Sequence, residues 1–262
     1  MVQDMSRKKK VKAKVVSQKQ IADQIFDLWL ETELAKNANA GQFIAVYPHN
    51  ASTLLPRPIS ICEVDRAANR LRLVYRIAGK GTAEFSACKA GDTLEILGIL
   101  GNGFPLEKAK GKRVFLMGGG IGIPPMLELA KELDADKQIL VGYRNKDLFL
   151  EEDLAKYGNV YIATEDGSVG TKGNVMDAIR VNHLSADVIM ACGPMPMLRA
   201  IKQYAGEQGI EAYISLEERM ACGVGACLGC VCRTREVDHH SHVNNARICT
   251  DGPVFEAKEV EI

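Results

Sequence analysis

The 262-residue sequence predicts a β plus α/β protein: an antiparallel β-barrel, then a doubly wound parallel α/β domain, then a small metal-stapled C-terminal module. Three observations carry this. Apolar and polar residues alternate singly in short runs within the first 100 residues. After Lys112, apolar strands alternate with helical stretches. Five of the eight cysteines then crowd into residues 222–249.

In the first region, Leu71, Leu73, Tyr75 and Ile77 alternate with Arg72, Val74 and Arg76, a period of two. Breaks at Asn37–Gly41, Arg66–Asn69, Gly79–Gly81 and Gly101–Gly103 separate several such strands, the pattern of an antiparallel barrel. In the second region, Val114–Met117, Ile139–Val141, Val160–Ala163, Val188–Ala191 and Ala212–Ile214 read as strands. Met126–Leu133, Leu148–Lys156, Val175–Val181 and Met197–Glu207 read as the helices between them, implying a parallel sheet. After Leu216 regular structure is expected to give out, because the remainder is too short for a core of its own and needs a staple. The expected domains are residues 1–106, 107–215 and 216–262.

Composition narrows the function. Lys plus Arg number 33 and Asp plus Glu number 33, so the net charge is zero, which argues against a nucleic-acid binder. No segment reads as transmembrane; the apolar run Val114–Leu127 is broken by four glycines and two prolines. The basic N-terminus (Arg7, Lys8, Lys9, Lys10, Lys12, Lys14) has no apolar core behind it. It therefore reads as the solvated edge of a first strand, not a secretory signal. Cysteines clustered this tightly, with no such signal, point to a metal site in a reducing compartment.

The spacing Cys222-x4-Cys227-x2-Cys230, with Cys249 further on, matches a plant-type [2Fe–2S] site. Four thiolates must converge on two irons, and Gly223, Gly225, Ala226 and Gly229 allow a tight loop whose amides can turn toward sulfur. A zinc site on Cys227, Cys230, Cys249 and His242 is the alternative. Cys232 reads as a bystander, and His239, His240 and His242 as solvated loop residues.

Two segments suggest nucleotide binding. Arg57 and Arg76 can donate charge-assisted hydrogen bonds to a flavin pyrophosphate, and Tyr75 can wall its ring. Gly79–Thr82 opens a helical stretch, Ala83–Cys88, whose amides can face phosphate. A solvated strand face accounts for the same arginines. Gly118-Gly119-Gly120-Ile121-Gly122 between strand and helix permits close approach to a ligand, but Ile123 stands where the third glycine of the dinucleotide fingerprint belongs. Close strand–helix packing is the alternative there. Cys192 ends a strand where such sheets bind ligands, and equally suits a small buried apolar site.

Together these motifs resemble the ferredoxin–NAD(P) reductase superfamily. Arg57-Pro58-Ile59-Ser60 is similar to its flavin motif, and Gly118–Gly122 with Cys192-Gly193-Pro194 to its nicotinamide loops. Within the superfamily, Glu218–Cys230 together with Cys249–Phe255 resembles the electron-transfer subunits of dihydroorotate dehydrogenase B, and the likeness runs from about residue 11 to the C-terminus. The resemblance implies FAD on Arg57, Pro58, Ile59, Ser60, Val74, Tyr75, Arg76, Gly81 and Thr82. It implies NAD at Gly119, Gly120, Cys192 and Gly193, and a [2Fe–2S] cluster on Cys222, Cys227, Cys230 and Cys249. It further implies a cytoplasmic heterotetramer, two copies each of this chain and an FMN-containing catalytic subunit, serving pyrimidine biosynthesis.

Hydride transfer to flavin requires no side-chain acid or base, so no catalytic residue is named. The small subunit of an NADPH–ferredoxin transhydrogenase is the nearest alternative; that family has an aspartate among its cluster ligands, where four cysteines fit here. A zinc-stabilised interaction module is the alternative of another class. A self-contained oxygenase reductase would need a complete ferredoxin domain, for which about 45 residues are too few. On NAD against NADP the residues pull both ways: Arg144 could meet a 2′-phosphate, whereas Glu165 and Asp166 would repel one.

Overall fold

The structure, a computed structural model, describes residues 8–50, 52–237 and 242–262; Arg7, His239 and His240 lie outside the described residues. The chain begins with β1 (Lys9–Ala22), a 14-residue strand in which Ala13 and Val15 turn inward and Lys10, Lys12 and Lys14 turn outward. The basic stretch is thus one face of a barrel strand, with Lys10 paired to Glu95 at 2.8 Å. β2 (Ile25–Glu31), β3 (Phe43–Tyr47), β4 (Arg57–Asp65), β5 (Arg70–Arg76) and β6 (Thr93–Leu100) complete a closed antiparallel barrel in the order β1-β2-β5-β4-β3-β6. Its interior is filled by the inward residues of each strand, among them Leu28, Ile44, Ile61, Leu73 and Ile96. The helix expected at Ala83–Cys88 begins earlier, as α1 (Lys80–Phe85).

The second sheet runs through β7 (Arg113–Gly119), β8 (Asp136–Tyr143), β9 (Asn159–Thr164), β10 (Thr171–Lys172), β11 (Val188–Cys192) and β12 (Glu211–Ser215), all parallel. β7, β8 and β11 are buried along almost their whole length, which is why they read as continuous apolar runs. Between them lie α2 (Pro125–Glu132), α3 (Glu151–Leu154), α4 (Val175–Val181) and α5 (Met195–Gln208). α3 is shorter than the expected Leu148–Lys156. Leu150 enters it at φ +66°, and the Tyr143 hydroxyl donates to the Phe149 carbonyl at 2.7 Å, so the chain before Glu151 is held out of the helix.

The C-terminal segment keeps more regular structure than expected. β13 (Val231–Thr234) and β14 (Asn245–Arg247) pair with each other, and β16 (Val260–Glu261) adds to β13. β15 (Val254–Glu256) leaves that small sheet and joins the edge of the large one, antiparallel to β12. Cys230, Ile248, Cys249, Phe255 and Val260 accordingly share one apolar cluster with Ile189, Ile214 and Leu216 of the second sheet and Phe43 and Leu100 of the barrel. The segment borrows a core instead of building one.

A buried ionic knot fixes barrel to second sheet. Arg72 on β5 donates to both oxygens of Asp27 at 3.1 and 2.9 Å, to Glu63 at 3.2 Å, and across the boundary to Asp153 on α3 at 2.9 Å. Beside it Glu128 of α2, fully buried, accepts the Val64 amide of β4 at 2.8 Å. Four oxygens of three carboxylates around one guanidinium satisfy the donors that burial strips of water.

Candidate functional site

The barrel's open end, the turn after β7 and the segment following β12 enclose a cavity of ≈ 920 Å³. The start of β4 contributes Arg57, Pro58, Ile59 and Ser60; the end of β5 contributes Val74, Tyr75 and Arg76; α1 contributes Thr82. These three consecutive elements converge because β4 and β5 are barrel neighbours and α1 follows β5 directly. The volume is at the upper end of small-molecule and cofactor sites.

Each residue does something specific. Gly81 is not on the wall but behind it: a Cβ there would lie 2.8 Å from Arg57 Nε, so the bare glycine makes room for the guanidinium. Arg57 also donates to the Leu55 carbonyl. Thr82 turns its hydroxyl back on its own helix start, accepting from the Ala78 amide at 2.8 Å and the Gly79 amide at 3.2 Å, which fixes the turn. Tyr75 reaches the cavity only at its margin, being 3% exposed. Its ring packs against Phe26 and Phe85 at centroid distances of 6.0 and 6.3 Å, and its hydroxyl donates to Gln18. Tyr75 thus braces the wall more than it forms one.

The opposite wall is Ser215, Leu216, Glu217, Glu218, Arg219 and Met220, which the sequence reading missed as cavity residues. The signal for them was their position directly before Cys222. Glu217 meets solvent within the cavity, yet protein surrounds it closely enough that loss of hydration raises its carboxyl above the usual range, while the Arg76 charge pulls the other way.

The glycine turn is largely a packing device. A Cβ on Gly119 would lie 2.5 Å from Met197 Sδ, and one on Gly122 would lie 2.3 Å from the Cys192 carbonyl oxygen. Gly193 faces the same Met197 sulfur. Gly120 differs: it has φ +53° and open space before it. The Cys192 thiol is fully buried, and burial pushes it up.

Cys222, Cys227 and Cys230 lie on one loop, and Cys249 on the turn after β14. Gly223 and Gly225, at φ +69° and +83°, give the loop a left-handed path that ordinary side chains resist. The Val224 amide donates to Cys222 Sγ and the Gly229 amide to Cys227 Sγ, each at 3.4 Å. Burial alone would push the Cys222 thiol up; the amides of Val224, Cys227 and Ala226, with the Cys227 side chain, hold it down at about 6. Cys249, buried beside Cys230, is pushed up to about 12. Arg247 and Asp251 clamp the turn through contacts at 3.0 and 3.1 Å, and Arg247 reaches the Gly225 carbonyl at 3.4 Å. Among the described residues, His242 included, no three His, Cys, Asp or Glu side chains close at metal-binding spacing. What fits an iron–sulfur group is the donor set: four cysteines in two mutually interacting pairs, with amides aimed at sulfur. Cys232 sits on β13 opposite Ala246.

Residues 217–261 match the family described as the iron–sulfur cluster binding domain of dihydroorotate dehydrogenase B. The chain is 47% identical over 254 residues to the dihydroorotate dehydrogenase B (NAD(+)) electron transfer subunit of Geobacillus sp. (strain WCH70), covering 94% of this chain and 96% of that one. It is 44% identical over 262 residues to the subunit of the same name from Bacillus velezensis, covering 97% and 100%. A structure of NADH-dependent reduced ferredoxin–NADP oxidoreductase superposes with a TM-score of 0.84 at 28% identity, over 95% of this chain and 89% of that one. A ferredoxin NADP+ reductase from Neisseria gonorrhoeae, at TM-score 0.64 and 19% identity over 80% and 94%, shares the fold. With identity this high over nearly its full length, the chain belongs to the family of dihydroorotate dehydrogenase B (NAD+) electron-transfer subunits.

Proposed function

We propose that this chain carries electrons between NAD+ and the FMN-containing catalytic subunit of a dihydroorotate dehydrogenase, in the cytoplasm, as part of pyrimidine biosynthesis. One observation carries the reading: the segment Ser215–Met220 walls the cavity and then runs straight into Cys222, so a flavin in the cavity and a cluster on the cysteine loop share one short stretch of chain. Nicotinamide moves electrons as hydride and a [2Fe–2S] cluster takes them singly, and bound FAD supplies the conversion between the two.

The protein's part is holding and shielding. Arg57 and Arg76 offer cations to the FAD pyrophosphate; Pro58, Ile59, Ser60 and Val74 shape the wall; Gly81 and Thr82 set Arg57 and the turn beside it. The open turn at Gly120, with the backbone at Gly119, Cys192 and Gly193, receives the nicotinamide. Cys222, Cys227, Cys230 and Cys249 hold the cluster, and no side chain is needed as acid or base. Arg144, whose carbonyl accepts the Asp166 amide at 3.3 Å, stands beside Glu165 and Asp166, so a cation that could meet a 2′-phosphate and two carboxylates that would repel one occupy the same turn. Residues 1–106, 107–215 and 216–262 are the flavin, nicotinamide and cluster units, β15 being lent by the third to the second. The assembly is two copies of each subunit. Four cysteines where the transhydrogenase family has an aspartate, and 47% against 28% identity, favour this branch over that one.

The isolated chain should oxidise NADH with a dye acceptor and show no dihydroorotate oxidation. Adding the FMN subunit should couple dihydroorotate oxidation to NAD+ reduction. Stripping the iron should abolish the coupling and spare the dye reaction; coupling at the normal rate without iron would overturn the route.

A further inference from the structure

Six consecutive residues, 52–57, line the cavity. Residues 52–56 belong to no strand or helix, yet their backbone is pinned. Just before them, the Glu84 carboxylate on α1 accepts the His49 amide at 2.5 Å and the Asn50 amide at 3.2 Å. The Asn50 side-chain oxygen accepts the Ser52 amide and hydroxyl at 2.9 and 2.8 Å, and the Asn50 carbonyl accepts the Thr53 amide at 2.8 Å. Arg57 donates to the Leu55 carbonyl. On this fixed strap Leu54 is 81% exposed and Leu55 53%. Two adjacent leucines thus stand in water on the rim of a cavity of cofactor size.

The hairpin of β3 and β4 orders that cavity from end to end. At one end Ser60 pairs with Phe43, which shares an apolar cluster with Cys230 and Cys249. Phe43, Met220 and Pro253 line the cavity there. A redox ring belongs at that end, because single electrons cross only short distances to a cluster. Arg57 stands three residues back along β4, about 10 Å away at the rise of a strand. The strap joins the end of β3 to Arg57, so it lies at the other end of the hairpin from Phe43 and Ser60.

We propose that Leu54 and Leu55 cover the adenosine half of FAD and so select FAD over FMN. The inference rests on the reading that FAD occupies the cavity with its pyrophosphate at Arg57. FMN ends at its phosphate and leaves the strap bare. FAD continues past Arg57, and its adenine offers a flat face that two leucines can cover without a polar partner. Because Glu84, Asn50 and Arg57 already hold the strap, little ordering is lost when the leucines are covered.

The test uses the full chain, freed of flavin and titrated with FAD and with FMN by flavin fluorescence. Wild type should bind FAD the more tightly. Failure to bind either flavin would defeat the flavin reading and the proposal with it, whereas equal affinity for the two would overturn the proposal alone. Leu54→Ser combined with Leu55→Ser should weaken FAD by about 30-fold, the loss of roughly one leucine's worth of covered apolar area. FMN should bind that variant as it binds wild type. Leu54→Met combined with Leu55→Met keeps the apolar area and should bind FAD like wild type. Equal loss of both flavins in the serine variant would overturn the proposal, because the strap would then act only by holding Arg57. Unchanged FAD affinity would overturn it too, and would leave the two leucines as a surface for another protein.

Discussion

Gly81 faces the Arg57 guanidinium so closely that a Cβ would lie 2.8 Å from Nε and 2.9 Å from Cζ. Gly81→Ala should therefore separate cofactor binding from stability. Alanine is the better residue within a helix by up to about 1 kcal/mol, so the flavin-free chain should melt no lower than wild type. The displaced guanidinium should weaken FAD binding. Arg57→Ala should weaken it further, by about 2 kcal/mol or about 30-fold, because a charge-assisted contact is lost outright. Fluorescence titration of FAD, alongside thermal melts, checks both. The flavin released from wild type should be FAD; FMN alone would contradict the pyrophosphate assignment.

Serine at Cys222, Cys227, Cys230 or Cys249 should lower iron content and loosen the segment after Leu216, whose shared core depends on Cys230 and Cys249 staying in place. Cys232→Ser, on β13, should leave iron unchanged. Iron analysis and limited proteolysis read these out, and full iron in Cys249→Ser would sink the ligand set.

Arg72→Met should be strongly destabilising, by about 3–5 kcal/mol in urea unfolding, because Asp27, 2% exposed, would be left as an unpaired buried charge. Asp153→Asn should cost less, since Asp153 also reaches water. Burial would raise the Asp153 carboxyl, but Lys156 and Arg72 hold it below the usual range. A lowered folded-state value means its contribution is complete above the unfolded-state value of about 3.9 and is lost as pH falls through the folded one. Asp153→Asn should accordingly flatten the acid limb of the stability curve.

At the glycine turn, Gly119→Ala and Gly120→Ala should part company. The first pushes a methyl into Met197 and Pro194 and should destabilise by about 1–3 kcal/mol. The second meets no atom within 4 Å, so its cost is backbone strain of about 1–2 kcal/mol at φ +53°. Its further effect should be a raised KM for NADH in the dye assay if the nicotinamide approaches there.

The cysteine spacing, the Arg57–Ser60 motif and the alternation of strands and helices could all be read along the chain, because each is a local pattern: a ligand spacing, a turn, a hydrophobic period. The 14-residue β1 was legible too, as the solvated edge of a first strand, in the alternation of Val11, Ala13 and Val15 with lysines. Other features had no local signature. Gly81 matters only because β4 brings Arg57 against it. Tyr75, which by residue type promised an aromatic wall, turns its ring into the barrel because Phe26 and Phe85 are there to receive it. β15 leaves the cysteine segment because the edge of β12 offers unpaired backbone groups, and the Arg72 knot joins residues 45 and 81 positions apart. Sequence by itself determined which chemical groups the protein owns and the periodicity that sorts them into strands, helices and loops. Tertiary structure alone decided which of those groups share a cavity, as Glu217 and Arg76 do, because burial and charge act through space between residues that the chain holds far apart.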